Sequence, residues 1–209
     1  THRSRDVQPF TANVPRAELE ELGARLAAAR LPEAETVQHP AGDPRRWDQG
    51  VPLADLQEVV AHWRTAYDWR AFEDRLNGIG QVRVMVDGLG VHALHRRSSR
   101  PDAVPLVLTH GWPGSVAEFT DVVDELADPG AALPGFGFSD KPTTTGWGIE
   151  KIAASWVEVM GALGYERFLA HGGDWGGVVT TILGGRYPEQ VIGIHTTVAQ
   201  PPPGLQLDG

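Results

Sequence analysis

His171-Gly172-Gly173-Asp174-Trp175-Gly176-Gly177 follows the short apolar run Phe168-Leu-Ala and leads into a second apolar run over 178–183. A strand, a glycine-rich turn and a helix in that order make an α/β unit. Within it, Gly172-Gly-Asp174-Trp-Gly176 has the form G-x-nucleophile-x-G. Such a turn is strained and lifts one side chain above the sheet, and small residues on both sides, Gly172 and Gly176, leave room for it. A helix beginning at Trp175 points its dipole and free N–H groups at the turn, which favours an ionised Asp174 and so a carboxylate nucleophile. Taken alone, the five residues also fit an aspartate that merely caps the helix.

Working outward, the helix before this unit carries Ile149, Ile152, Trp156, Met160 and Leu163 at helical spacing and stops at Gly164. Further upstream, a mostly apolar run over 103–109 ends in His110-Gly-Trp-Pro-Gly-Ser115. Ser115-Val-Ala-Glu118 reads as a capping box opening a helix with Val116, Phe119, Val123 and Leu126 on one face. In a parallel sheet the turns after successive strands share the carboxyl edge, so this turn and the one at Asp174 can meet. The backbone N–H groups of Trp112 and Trp175 would then converge on one oxygen as an oxyanion hole, with His110, Gly111 and Pro113 shaping the first turn. The plainer reading of the first turn is a Gly/Pro bend before a helix. Between the two units the scheme lacks a strand, because only Asp-Pro-Gly-Ala-Ala-Leu-Pro separates Ala127 from Gly135-Phe-Gly-Phe-Ser139. Either that strand is lost or residues once lay between Ala127 and Leu133, and the second is the favoured expectation.

The part before the sheet reads as helical. Pro15 suits a first helical position, with Leu19, Leu22 and Leu26 recurring behind it until Leu31-Pro32. A second helix opens at Pro52 with Leu53, Leu56, Val59, Val60 and Trp63 inward, and a third runs over about 69–76, with Asn77-Gly78 as its stop. The period then changes to two. Val82, Val84 and Val86 alternate before Asp87-Gly88, and 91–95 returns as the second strand of a hairpin. After the Asp174 unit, a helix ends at Tyr187-Pro188 and Val191-Ile-Gly-Ile194 gives one more buried strand.

At 209 residues the chain can bury a sizeable core. Its formal net charge of −9 and pI near 5.3 disfavour nucleic acid as a partner. No apolar run approaches a membrane span, and Thr1-His-Arg-Ser-Arg-Asp6 has no signal-peptide core behind it, so no membrane partner and a cytoplasmic location are expected. The absence of cysteine excludes disulfides and thiol catalysis, and no metal or other cofactor is expected. Oligomeric state is open, a homo-oligomer included.

Together, His-Gly-Trp-Pro, Gly-Gly-Asp-Trp-Gly and the intervening Gly-Phe-Gly-Phe-Ser resemble the epoxide hydrolases of the α/β-hydrolase superfamily. Pro9-Phe10, Trp47, Tyr67-Asp-Trp-Arg70, Leu76-Asn77 and Asp87-Gly-Leu-Gly-Val-His92 resemble the N-terminal extension of the microsomal and juvenile-hormone type, here in a soluble bacterial relative. The resemblance implies an α/β-hydrolase fold, a mostly parallel sheet flanked by helices, with a helical extension over residues 1–78 and the N-terminal part of the core over 79–209. It implies a small-molecule epoxide and water as partners and a vicinal diol as product.

An aspartate suits that substrate. A serine would leave an ether that water cannot readily cleave, whereas Asp174 leaves an ester. The resemblance also implies a water-activating histidine paired with an acidic residue, and lid tyrosines that donate to the epoxide oxygen. All of these are expected outside this chain. His110 and His171 belong to the two turns, His195 to a strand end, and His2, His39, His62, His92 and His95 precede the catalytic edge, so each of the eight histidines reads as structural. Tyr67, Tyr165 and Tyr187 read as packing residues.

Asp174-Trp175 also fits a haloalkane or haloacid dehalogenase, against which Trp112 and the helical extension weigh. A non-catalytic ligand-binding homologue stays open as well. A serine esterase is disfavoured by Asp at the elbow.

Overall fold

The computed structural model describes residues 7–126, 130–131 and 133–198. His2, the start of the chain and Pro201-Pro-Pro203 lie outside the described residues. The chain divides into two compact units, Asn13–Glu73 and the remainder.

In the smaller unit, α1 (Arg16–Ala27) starts one residue later than the sequence suggests, with Pro15 as its N-cap at φ −55° and ψ 141°. Leu19, Leu22 and Leu26 are half-buried along one face. Helix α2 (Leu53–Thr65) packs on α1. The five positions expected inward on α2 are not all inward, since Val59 and Trp63 are 62% and 46% exposed. Within its unit α2 meets α1 along one stripe, which covers less than the apolar arc the periodicity outlines. Glu73, near the middle of α3 (Trp69–Ile79), is buried and accepts from the Val14 N–H at 2.6 Å and from Trp69 Nε1 at 3.3 Å, with the Arg70 guanidinium beside it. Burial pushes this carboxyl up, but those three donors outweigh it and hold the group below its ordinary value. Arg70 also donates to Val14 O at 2.8 Å, so Trp69, Arg70 and Glu73 together tie the chain before α1 to α3.

The larger unit is built on a seven-stranded sheet in the order β1-β2-β3-β5-β4-β6-β7. Strands β1 (Val7–Phe10), β2 (Gln81–Val86) and β3 (Leu89–Leu94) pair antiparallel, while β4 (Leu106–Thr109), β6 (Phe168–Gly172) and β7 (Val191–Thr196) run parallel. The β2–β3 turn is the Asp87-Gly88 pair, both at positive φ (48° and 81°), as a two-residue hairpin with right-handed twist requires. β1 gave no periodic signal. It has four residues with Pro9 among them, which suits an edge strand. Asn77 does not stop α3. Its amide clamps Ala12, accepting from N–H at 2.8 Å and donating to O at 3.0 Å, and the helix ends at Gly80, φ 95°.

The strand missing from the sequence reading is present as β5 (Gly130–Ala131), two residues that pair parallel with β4 and antiparallel with β3. Beyond its reach, β3 is completed by the Gly135–Asp140 loop. Asp140 N–H donates to Gly90 O at 2.9 Å, Gly90 N–H to Asp140 Oδ2 at 2.8 Å and His92 N–H to Ser139 Oγ at 3.0 Å. A loop thus satisfies backbone groups that a longer strand would otherwise pair. The helix expected after Ser115 is broken into a 3₁₀ turn (Val116–Phe119) and α4 (Val123–Leu126), and Leu126 is exposed rather than on a buried face. Thr120 Oγ1 donates back to Ala117 O at 3.0 Å, one of the local bonds that compete with helix continuation.

Helices α5 (Ile149–Ala162) and α6 (Asp174–Arg186) pack together, and Trp156, Met160, Phe168 and Leu183 are fully buried in the core they share with the sheet. Each such side chain contributes roughly 1.5–3 kcal/mol by leaving water. Trp156 Nε1 donates to Thr109 Oγ1 at 2.9 Å, so α5 is registered against the end of β4, directly below the His110 turn. Among the described residues no helix is long and apolar enough to cross a membrane.

His92 is fully buried on β3, edge-on to Phe10 and Phe138 at 5.0 and 5.4 Å between ring centres. Its Nε2 donates to Gln81 Oε1 at 2.8 Å and its Nδ1 has no partner among the described residues. Burial, assisted by the Arg83 charge, pushes its pKa from 6.5 down to about 4. The unfolded chain therefore takes up this proton first as pH falls. The stability tied to neutral His92 is complete above pH 6.5 and is lost between 6.5 and about 4, amounting to about 3 kcal/mol. Urea midpoints at pH 7 and pH 4 should show His92→Gln losing less stability than the unsubstituted protein by that amount. Equal losses would show that His92 does not titrate in this way.

Candidate active site

Strand β4 ends at Thr109 and the chain turns through His110-Gly-Trp-Pro113. The turn is held by the His110 ring, which is buried. Nδ1–H donates to Gly111 O at 2.8 Å, and Nε2 accepts from Leu133 N–H at 3.1 Å. Both ring nitrogens are used by backbone groups, which requires the neutral imidazole. Burial lowers its pKa, against the opposing pull of Gly111 O and Glu118. The Trp112–Pro113 peptide is cis.

Strand β6 delivers the second turn. Asp174 opens α6 at φ 50°, one of two non-glycine residues with positive φ among those described. The turn is possible only because its neighbours lack side chains. A Cβ on Gly172 would overlap the Gly176 backbone, and one on Gly176 would overlap the Thr109 carbonyl. A Cβ on Gly111 would lie 2.8 Å from Asp174 Cβ. The two turns therefore meet by backbone contact, bringing together all eight residues expected at this edge.

Asp174 Oδ1 accepts from the Trp112 N–H at 2.8 Å. That bond, and a second from the Trp175 N–H, hold the carboxyl below the ordinary aspartate range, with only a small opposing push from desolvation. A carboxylate so placed stays ionised, with Oδ1 anchored on the Trp112 N–H. Trp112 and Trp175 are themselves 64% and 50% exposed. They line an apolar recess of about 200 Å³ with Phe136, Ile149, Ile152 and Val179. A second, open cavity of about 490 Å³ shares Trp112 with it, and there Asp174, Glu118 and Thr197 supply the polar side chains. Among the described residues no group of three or more His, Asp or Glu side chains converges as a metal site would.

His171 and His195 stack at 4.8 Å, their Nδ1 atoms 2.8 Å apart, and His171 Nδ1 lies 3.1 Å from His195 O. His95 Nε2 meets Tyr165 OH at 3.0 Å, and Tyr67 is exposed in the smaller unit. Sequence reasoning missed Thr197 and the cavity-facing position of Glu118. Glu118 carries the capping-box signal, and nothing in the sequence around Thr197 points at the edge.

Residues 7–119 match the family model described as the epoxide hydrolase N terminus, and residues 104–208 match that of the α/β-hydrolase fold. The chain belongs to the epoxide hydrolase N-terminus family. Its two matches overlap on the His110 turn. The chain is 48% identical over 203 residues to a Stigmatella aurantiaca protein provisionally named epoxide hydrolase, covering 90% of the chain and 44% of that protein. It is 28% identical over 207 residues to juvenile hormone epoxide hydrolase 1 of Ctenocephalides felis, covering 92% and 43%. Among solved structures, the Aspergillus niger epoxide hydrolase superposes with a TM-score of 0.82 at 29% identity, covering 98% of this chain and 56% of that one. The chain thus spans about half the length of the relatives it matches.

Proposed function

We propose that the protein carrying this chain hydrolyses an epoxide to a vicinal diol through an ester on Asp174. The observation that carries this reading is the Asp174 carboxylate, raised at φ 50° with Oδ1 on the Trp112 N–H at 2.8 Å. Its unanchored oxygen attacks an epoxide carbon, the ring C–O bond breaks, and the ring oxygen takes a proton from an acid. The family resemblance implies lid tyrosines as that acid and a histidine as the later base. Water then attacks Asp174 Cγ, and the Trp112 and Trp175 N–H groups stabilise the charge that collects on the carboxyl oxygen. Residues 1–78 are read as the N-terminal extension and 79–209 as the first part of the hydrolase core. The compact unit Asn13–Glu73 supports a division near its C-terminal boundary, while residues 7–10 join the core sheet as β1.

One turnover in heavy-oxygen water should place the label in the Asp174 carboxyl group and leave the first diol unlabelled. Label entering the diol directly would mean that water attacks the epoxide and that no ester forms. Halide release from a haloalkane, without diol formation from epoxides, would move the assignment to a dehalogenase.

A further inference from the structure

Glu118 has the sequence position of a capping-box partner for Ser115, yet the structure gives it no such bond. Ser115 Oγ accepts from Ala117 N–H at 3.2 Å, and among the described residues no hydrogen-bond donor reaches the Glu118 carboxylate. The side chain folds back over Gly114 instead. A Cβ at that position would overlap Oε1 and Cδ of Glu118, so glycine at 114 leaves the room this carboxylate occupies. It lines the open cavity that Asp174 also lines. Thr197 lines the same cavity, its Oγ1 only 2.6 Å from the place of a Cβ on Gly173, the residue before Asp174.

The two cavities that share Trp112 are therefore unlike, and Asp174 lines the polar one. An epoxide's carbon substituent belongs in the recess walled by Trp112, Phe136, Ile152 and Trp175, which offers it no charged group. Water belongs in the cavity that offers it a carboxylate and a hydroxyl. We propose that Glu118, with Thr197, holds the water that hydrolyses the Asp174 ester. This assignment rests on the reading of Asp174 as the ester-forming residue.

In the step itself, the water oxygen bonds to Asp174 Cγ and the Cγ–O bond to the alkyl group breaks. One water proton passes to the imidazole base, which returns a proton to the departing alkoxide to complete the diol. Glu118 accepts a hydrogen bond from the other O–H and remains ionised throughout; that second proton stays on the released Asp174 carboxyl group and passes back to the acid that protonated the ring oxygen. Its contribution is orientation, supplied through a charge-assisted bond. Glu118 is thus a water-positioning residue that acts on the second half-reaction only.

Selectivity for one half-reaction gives the test. In the protein carrying this chain, Glu118→Gln should slow ester hydrolysis at least ~10-fold and leave alkylation within about twofold. Then kcat and KM fall together, kcat/KM stays constant, and rapid-quench intact mass shows the ester accumulating. Thr197→Val should do the same to a smaller degree, and Glu118→Asp should recover part of the rate. If kcat is unchanged in Glu118→Gln, or if kcat/KM falls with no accumulated ester, the assignment is wrong. Should Glu118→Gln fail to fold, Thr197→Val and Glu118→Asp decide by the same readout. A different result, no ester and no diol in the unsubstituted protein, would instead remove the epoxide hydrolase reading on which this one stands.

Discussion

Asp174→Asn is expected to lower diol formation by about 10⁴-fold or more and to leave the folded structure intact. The two halves of that result have separate causes. The amide keeps an oxygen that can accept the Trp112 N–H bond now made at 2.8 Å, and asparagine tolerates φ near 50° as well as aspartate does. Nothing that holds the elbow together is removed. What is lost is the charge on the free oxygen, and a neutral amide does not open an epoxide at a useful rate. The backbone N–H pair and the apolar recess persist, so binding of an apolar ligand should survive. Undiminished turnover, or an ester detected by intact mass on a residue other than 174, would take Asp174 out of the role proposed for it. Asp174→Ala separates the causes further. It removes the Oδ1 acceptor and places an ordinary residue in the left-handed region, so it should lose stability by about 1–2 kcal/mol as well as activity.

The elbow and the His110 turn were legible because their signals are local. Glycines on both sides of one acidic residue, and a His-Gly-Trp-Pro bend after an apolar strand, state a backbone geometry within a few residues. The β2–β3 hairpin was legible for the same reason, since Asp87-Gly88 fixes the turn and thereby the register. The features that escaped depend on distant partners. β5 has two residues, too few to show any period, and exists because β3 and β4 offer edges on both sides of it. β1 breaks its own pattern with Pro9, which costs nothing at the sheet edge. Val59 and Trp63 hold the right helical spacing, but spacing does not reveal how wide a partner will cover the face. Glu118 has a good local explanation in the capping box, and only the empty side-chain position at Gly114 shows that the carboxylate is directed elsewhere. A local motif read correctly as a backbone signal can therefore still misplace a side chain.

Gly176→Ala is expected to damage the Asp174 turn severely, and Gly185→Ala, nine positions later on the same helix α6, to be mildly stabilising. Alanine is the better helix former by about 1 kcal/mol, so propensity alone favours both substitutions equally. Their surroundings decide the sign. A Cβ at 185 meets nothing within 4 Å, and the propensity gain is realised in full. A Cβ at 176 would overlap the Thr109 carbonyl and come within 2.8 Å of His110 O, both backbone atoms that no rotamer change can clear. Helix α6 or the β4 turn must then shift, at a cost of about 3 kcal/mol or more. For a chain of this size that is a melting point lower by ~10 °C in Gly176→Ala and higher by ~2 °C in Gly185→Ala. The displacement also lies on the path from Thr109 to Trp112, whose N–H anchors Asp174, so turnover should fall in Gly176→Ala even well below its melting point. Thermal unfolding and diol formation measured side by side for the two variants check both statements. Equal melting points would mean that the contact between the two turns is looser than their glycines imply.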